Sequence, residues 1–355
     1  MRFFCQIPGG SFVPDTTVSS WRWLTDRHRE LSPGGRWKPT GCKARQRVAV
    51  IIPYRDRDEH LRILLQNLHP LLQRQLLEYQ IFVIEQAFPH IFNKASLMNI
   101  GFREALKAID LDCVVFHDVD MLPADDRQPY TCFRSPVHLG AYVDKYEYGR
   151  VYVPMFGGVT TFTRAHYLKV NGFSNTFYGW GGEDDDMRLR IASAQLYVHR
   201  YPLHVSRYRM LRHARDGTNP VNPFRNIATS YRPSAYGQDG VNSIKYKVHA
   251  SEEKPLYTWL LVEPVSSVSA YNLINGTCKQ GTMATLRVAI HKCAEACDAH
   301  DKCSAFVYDN GVWCFLKRGQ CRHIRPSRTQ RLYVKKTTVG SFKSFANITH
   351  SNITH

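Results

Sequence analysis

The chain has 355 residues, 43% hydrophobic and 22% charged, which is enough for one large domain or two ordinary ones and excludes wholesale disorder or a collagen-like repeat. Lys and Arg number 47 against 30 acidic residues, a formal net charge of +17. No run approaches the roughly eighteen consecutive apolar residues of a membrane helix, and Met1-Arg2-Phe3-Phe4-Cys5 is too short and too soon polar for a signal peptide.

Residues 1–44 mix Gly, Pro, Ser and Arg without a sustained period and read as a stalk-like lead-in. Val48 to Ile52, closed by Pro53, is a short β-branched run that predicts a buried strand. Leu61, Leu64, Leu65, Leu68, Leu71 and Leu72 then recur at helical spacing. Ile81 to Ile84 predicts a second strand, Ala95 to Ala108 a helix, and Cys113 to Phe116 a third strand. This alternation predicts an α/β fold with a largely parallel sheet, whose ligands bind beyond the carboxyl ends of the strands. The third strand runs directly into His117-Asp118-Val119-Asp120.

Two carboxylates at i and i+2 in that place can hold a divalent cation on a diphosphate, the competing reading being a solvated acidic turn. Arg55 and Arg57, after the first strand, can clamp phosphate or simply form a basic loop. Further on, Gly179-Trp180-Gly181-Gly182 makes a pliant segment able to swing an indole over a sugar. Glu183-Asp184-Asp185-Asp186 then opens a helix predicted over Met187 to Ala194. Acids suit a helix N-terminus, but four exceed what capping requires, so one can act as a general base. His213 is a candidate metal ligand, whereas Met210 alone reads more simply as packing.

Ten cysteines are present, and six of them (Cys278, Cys293, Cys297, Cys303, Cys314 and Cys321) crowd the C-terminal part. There is no CxxC pair, so disulfides formed in an oxidising compartment fit better than zinc. The sequons at Asn275, Asn347 and Asn352 agree with passage through the secretory pathway. A domain boundary is predicted near 265–277, and the tail from 336 to 355 is polar and expected to be mobile.

In this order, Pro53-Tyr54-Arg55-Asp56-Arg57, Phe92-Asn93-Lys94-Ala95, Asp118-Val119-Asp120, Phe156-Gly157-Gly158-Val159, Asn171-Gly172-Phe173, Trp180 to Asp186 and Met210 to His213 resemble the β-1,4-galactosyltransferase family over residues 42–262. The resemblance implies a catalytic domain at 45–265 with a GT-A-type, Rossmann-like mixed sheet. It implies Mn2+ held by Asp120, Met210 and His213, and a UDP-sugar held by Arg55, Arg57, Phe92 and Asp118, with Lys145 near the phosphates. Asp184 would be the base, Glu183 would help hold the acceptor, and Trp180 would close over the donor. The implied disulfides are Cys5–Cys42 and Cys113–Cys132. Lys94 stands where the family commonly has Arg. Met155 stands where vertebrate members usually have Tyr, so N-acetylgalactosamine is expected beside galactose as a transferred sugar. The segment 224–229, which the resemblance places at the acceptor, departs from the family pattern.

Residues 270–335 resemble a PAN/apple module, a small disulfide-rich α+β unit with a helix from Leu286 to Cys297. Such a module would bind protein or carbohydrate. The expected activity is inverting β-1,4 transfer of galactose or N-acetylgalactosamine to a terminal sugar such as GlcNAc in the Golgi lumen. The family's membrane anchor is absent from this sequence, so the chain is expected to be a fragment or a secreted form. An inactive lectin-like binder on the same fold is the alternative. A nucleic-acid partner, supported by charge alone, is not expected.

Overall fold

The computed structural model describes residues 9–88, 91–149, 155–214, 216, 219–222, 225 and 236–265, followed by most of the segments between 271 and 335. In chain order the elements to residue 265 are α1 (Trp21–Arg27), β1 (Arg47–Tyr54), α2 (Asp58–Arg74), β2 (Glu78–Gln86), α3 (Lys94–Ala108), β3 (Cys113–His117), β4 (Met121–Pro123), β5 (Val137–His138), β6 (Tyr142–Val143), β7 (Val159–Thr163), α4 (Arg164–Lys169), α5 (Glu183–Ser193), β8 (Arg207–Met210), β9 (Lys245–Glu253) and β10 (Thr258–Val265). A short 3-10 turn, Asp144–Tyr146, follows β6.

Seven strands form one mixed sheet in the order β5-β7-β3-β1-β2-β10-β9. Its centre is parallel: β1 pairs with β2 and with β3, and β10 pairs with β2. The edges are antiparallel, β7 on β3 and β9 on β10. Val48, Val50 and Ile52 face α2, whereas Ala49 and Ile51 face α3, so both faces are covered and the strands read as continuous apolar runs. A second, three-stranded sheet, β4-β8-β6, stands beside the end of β3.

The stalk-like reading of residues 1–44 does not describe residues 9–44. α1 is capped by the Ser20 hydroxyl, which accepts from the Trp23 amide, and its Leu24 is fully buried in the α2-side core. Trp37 pairs its backbone with Tyr79 at the start of β2. The segment lacks a sequence period because one short helix and isolated contacts, rather than a continuous amphipathic face, hold it down.

Beyond residue 270 lie β11 (Tyr271–Asn275), β12 (Thr282–Arg287), α6 (Ile290–Asp298), β13 (Cys303–Asp309), β14 (Trp313–Arg318) and β15 (Gln330–Lys335). They make a five-stranded sheet in the order β11-β15-β13-β14-β12. Cys293–Cys314 ties α6 to β14, and Cys297–Cys303 ties it to β13. The predicted helix begins later than expected, because Thr285, Leu286 and Arg287 pair with β14 as strand. Cys113–Cys132 is formed, and Cys42 and Cys278 are also disulfide-bonded. Cys5, the sequon residues Asn347 and Asn352 and the tail 336–355 lie outside the described residues. No helix among the described residues is long and apolar enough to cross a membrane.

Candidate active site

β3 delivers Asp118 to the carboxyl edge of the sheet, where the Asp118 amide donates to Gly158 O at 2.8 Å and the Met121 amide closes a turn onto Asp118 O. The turn leads into β4, whose antiparallel partner is β8, with Met121 opposite Met210. The Leu211 amide then donates to Asp120 O at 2.8 Å. The Asp144 carboxylate accepts from the Met210 amide at 2.8 Å, fixing the end of β8 from the side. Residues 90 positions apart in sequence, Asp120 and Met210, are thereby laid side by side, and His213 follows.

His213 Nε2 lies 3.3 Å from Asp120 Oδ2, while His213 Nδ1 lies 2.7 Å from the carbonyl of Ala214. That carbonyl can only accept, so Nδ1 carries the proton and the Nε2 lone pair faces a carboxylate oxygen. Two acceptors at this distance require a proton or a cation between them. The first alternative is visible in the His213 pKa, which the hydrogen bond to Asp120 raises. A metal ion is the second. Carboxylate oxygen and an imidazole nitrogen oriented by a backbone carbonyl are ligands that fit Mn2+ when diphosphate oxygens complete the shell, while Met210, beside them at the end of β8, packs its side chain partly buried against the α2-side core. Among the described residues no group of three or more His, Cys, Asp or Glu side chains is arranged to hold a metal ion by itself. His60, which sequence reasoning missed, lies 5.5 Å from the His213 ring, tilted by 52°, and leaves its Nδ1 buried without a hydrogen bond.

The second half of the site centres on Lys94. α3 starts where Asn93 accepts from the Ser96 amide at 2.9 Å, and Gln86 accepts from the Asn93 amide at 2.7 Å. A lysine at the first position of a helix opposes the macrodipole. Its ammonium is held instead by carboxylates from two other elements: Glu183 at 2.8 Å, Asp184 at 3.3 Å and Asp118 at 3.6 Å. Burial works against the charge on Lys94, but these carboxylates keep its pKa well above the usual lysine value. Burial, helped by Glu183 and Asp118, pushes Asp184 well above the ordinary carboxylate range, with Lys94 opposing. Burial, opposed by Lys94 and helped by Asp120 and Glu183, moves Asp118 up to about 6. Glu183 presents Oε1 to Lys94 while its Oε2 is buried without a partner.

The four consecutive acids of α5 divide their work. Asp186 turns inward to Arg190 at 2.7 Å, and Arg190 also meets Asp239 at 3.5 Å, so this acid is structural. Asp184 turns outward against Gly157, where a Cβ would lie 2.0 Å from Asp184 Oδ2. Only glycine lets the carboxyl occupy that space. Gly157 stood out in the sequence only through the motif that contains it, and Lys94 only as a departure from the family's common Arg, with no role in the site.

The remaining candidates lie around these two groups. The buried Arg55 guanidinium is covered by the Phe88 and Phe92 rings at 5.1 and 5.0 Å. Arg57 caps α2 and its charge bears on both His60 and His213. Lys145 is exposed on the turn that also carries Asp144. Met155 is half-buried, and its carbonyl accepts from Arg200 at 2.8 Å. Trp180 is 56% exposed between Gly179, Gly181 and Gly182, all at positive φ, with Arg225 over its ring at 5.6 Å. Apart from Arg225, the acceptor segment 224–229 lies outside the described residues.

Residues 6–133 match the N-terminal region of glycosyl transferase group 7, and residues 137–214 match the N-terminal domain of galactosyltransferase. The chain belongs to the β-1,4-galactosyltransferase family. It is 45% identical over 249 residues to β-1,4-galactosyltransferase 3 of Cricetulus griseus, covering 70% of this chain and 62% of that one. It is 45% identical over 240 residues to β-1,4-galactosyltransferase 1 of Mus musculus, covering 68% and 60%. The chain thus spans about three fifths of the length of these relatives. The catalytic domain of Drosophila β-1,4-galactosyltransferase 7, solved with xylobiose, matches with a TM-score of 0.54 at 27% identity, covering 63% of this chain and 96% of that one. A mutant of that enzyme was solved with manganese, UDP-Gal and xylobiose. The sheet of this family member is accordingly of GT-A type. Residues 271–348 match a PAN domain.

Proposed function

We propose that this chain transfers galactose or N-acetylgalactosamine from a UDP-sugar, with inversion, to the 4-hydroxyl of a terminal sugar such as GlcNAc on a glycan. The observation that carries the reading is the pairing of two groups at one sheet edge: the facing acceptors of Asp120 and His213, and the Lys94-held carboxylates of Glu183 and Asp184. One binds cations and the other binds protons, and glycosyl transfer from a nucleotide sugar needs both.

Asp120, Met210 and His213 would hold Mn2+, which when bound offsets charge on the departing diphosphate. Arg55 and Arg57 would grip the nucleotide's phosphates, Phe92 and Asp118 would line its site, and Lys145 would stand near the phosphates. Asp184, its proton affinity raised by burial, takes the proton from the acceptor hydroxyl as that oxygen bonds to the anomeric carbon. The bond from that carbon to the diphosphate breaks on the opposite face, so the configuration inverts. Glu183, whose Oε2 is buried without a partner, would accept from a second acceptor hydroxyl. Trp180, between its glycines, would cover the donor and exclude water. The disulfides and the secretory sequon pattern support a Golgi-lumen setting. The PAN domain would add a protein or carbohydrate ligand of its own.

UDP release measured against Mn2+ concentration, with galactose and N-acetylgalactosamine donors and GlcNAc acceptors, tests the proposal. Asp120→Asn should weaken Mn2+ binding, read by calorimetry, and abolish turnover. Asp184→Asn should bind Mn2+ normally and lose about a hundredfold in turnover. Absence of UDP release with every donor and acceptor would favour a binding protein on the same fold.

A further inference from the structure

A cavity of about 320 Å3 opens on the α2 side of the sheet, at the carboxyl ends of β1 and β2. Its walls are Trp21 from α1, Tyr54 from β1, Glu85 from β2, and Lys254, Tyr257 and Trp259 from the β9–β10 hairpin. Successive strand residues point to opposite faces, so Tyr54 enters this cavity while Arg55 turns to Phe88 and Phe92. The cavity therefore shares none of the groups assigned above to metal, nucleotide or base.

Both indoles are locked through their N–H groups. Trp259 donates to Glu85 Oε2 at 2.6 Å, and Trp21 donates to Asp58 Oδ1 at 3.0 Å. Trp21 also meets the Tyr257 ring at 5.8 Å, tilted by 48°. Among the described residues nothing pairs with the other Glu85 oxygen. The Lys254 ammonium sits 5.0 Å from the Trp259 ring and 5.8 Å from the Tyr257 ring.

These groups select among ligands. The seat a cation would take over the aromatic rings is filled by Lys254, so an external ammonium is disfavoured. Carboxylates at Asp58 and Glu85 disfavour phosphate and other anions. What fits is an uncharged molecule with apolar faces and hydroxyl edges: faces against the rings, hydroxyls donating to Glu85 and accepting from Lys254. We propose that this cavity is a second sugar-binding site, taking one neutral hexopyranose unit of a glycan. The proposal stands apart from the catalytic reading and would hold for an inactive chain as well.

The test is fluorine NMR of the full chain labelled with fluorotryptophan, without Mn2+ or UDP-sugar. Trp21→Phe and Trp259→Phe assign the two cavity resonances. Titration with methyl β-galactopyranoside, methyl β-N-acetylglucosaminide and N,N′-diacetylchitobiose should shift both, and Glu85→Gln should weaken that binding about tenfold. Tighter binding of the disaccharide than of its monosaccharide would identify a glycan chain rather than a free sugar as the ligand. Glu85→Gln should leave transfer to a short acceptor unchanged. The proposal is overturned if no sugar moves either resonance, if Glu85→Gln binds as the native chain does, or if only inorganic phosphate or butylammonium moves them.

Discussion

The Lys94 ammonium stands 3.3 Å from one carboxylate oxygen of Asp184 and 3.4 Å from the other, astride the group proposed as the base. It also touches Glu183 and Asp118, so a single cation neutralises acids from β3's end and from α5. Lys94→Met leaves these shielded carboxylates without their partner. It should cost about 3 kcal/mol of stability at neutral pH, by urea unfolding, together with turnover. Lys94→Arg, the residue that the family commonly has here, should keep the fold and lose far less turnover than Lys94→Met, because the charge that pairs the three acids is conserved. A Lys94→Met chain of native stability would show that the cluster is solvated rather than paired.

Gly157→Ala places a methyl group where Asp184 Oδ2 now lies. The carboxyl must shift, while Asp120 and His213 keep their places. Turnover should fall by at least about tenfold with Mn2+ affinity unchanged, because misplacing a base by an ångström degrades its geometry. Mn2+ calorimetry beside steady-state kinetics decides it, and equal losses in both would mean that the whole edge has moved.

Donor choice should turn on Met155. UDP-galactose and UDP-N-acetylgalactosamine differ at the second sugar carbon, where an acetamido group replaces a hydroxyl. Methionine offers no hydroxyl there, and its unbranched thioether can lie against the acetyl methyl. The native chain should use UDP-N-acetylgalactosamine at least as well as UDP-galactose. Met155→Tyr should move the ratio of kcat/KM toward galactose, by about tenfold if one hydrogen bond and one clash are exchanged. An unchanged ratio would place donor choice elsewhere.

Buried histidines should weaken the fold in acid, His69 and His138 most strongly and His117, lowered to about 4, beside them. His69 Nε2 donates to Leu256 O and its Nδ1 accepts from the Tyr79 hydroxyl, both at 2.9 Å. His138 Nε2 donates to Gly157 O, and its Nδ1 accepts from Arg200 Nε at 3.1 Å. Both rings are fixed as neutral tautomers, and burial lowers each pKa to about 3. Above about pH 6.5 folded and unfolded chains hold these rings alike. Below it the unfolded chain takes up protons that the folded chain refuses, so stability falls as pH drops toward 3. Each histidine should contribute about 1.4 kcal/mol per pH unit in that window. Urea midpoints measured downward from pH 7 in the native chain and in His69→Gln should differ in slope by that amount.

Much of this molecule was legible before any coordinates. The β-branched runs at 48–52, 81–84 and 113–116 became β1, β2 and β3, because a central strand covered on both faces must be apolar throughout. The position of Asp118 and Asp120 at a strand's carboxyl end followed from the same rule, and the crowded C-terminal cysteines announced a disulfide-held module. Composition and period could not show what distant segments do to one another. That Met210 lies opposite Met121, that Lys94 gathers three acids, that Asp186 serves Arg190 while Asp184 turns outward, and that Gly157 makes room for a carboxyl are all matters of strand register and helix phase. The anchoring of residues 9–44 was invisible for the same reason: a buried Leu24 and a Trp37–Tyr79 bridge are single contacts, and single contacts leave no period in a sequence.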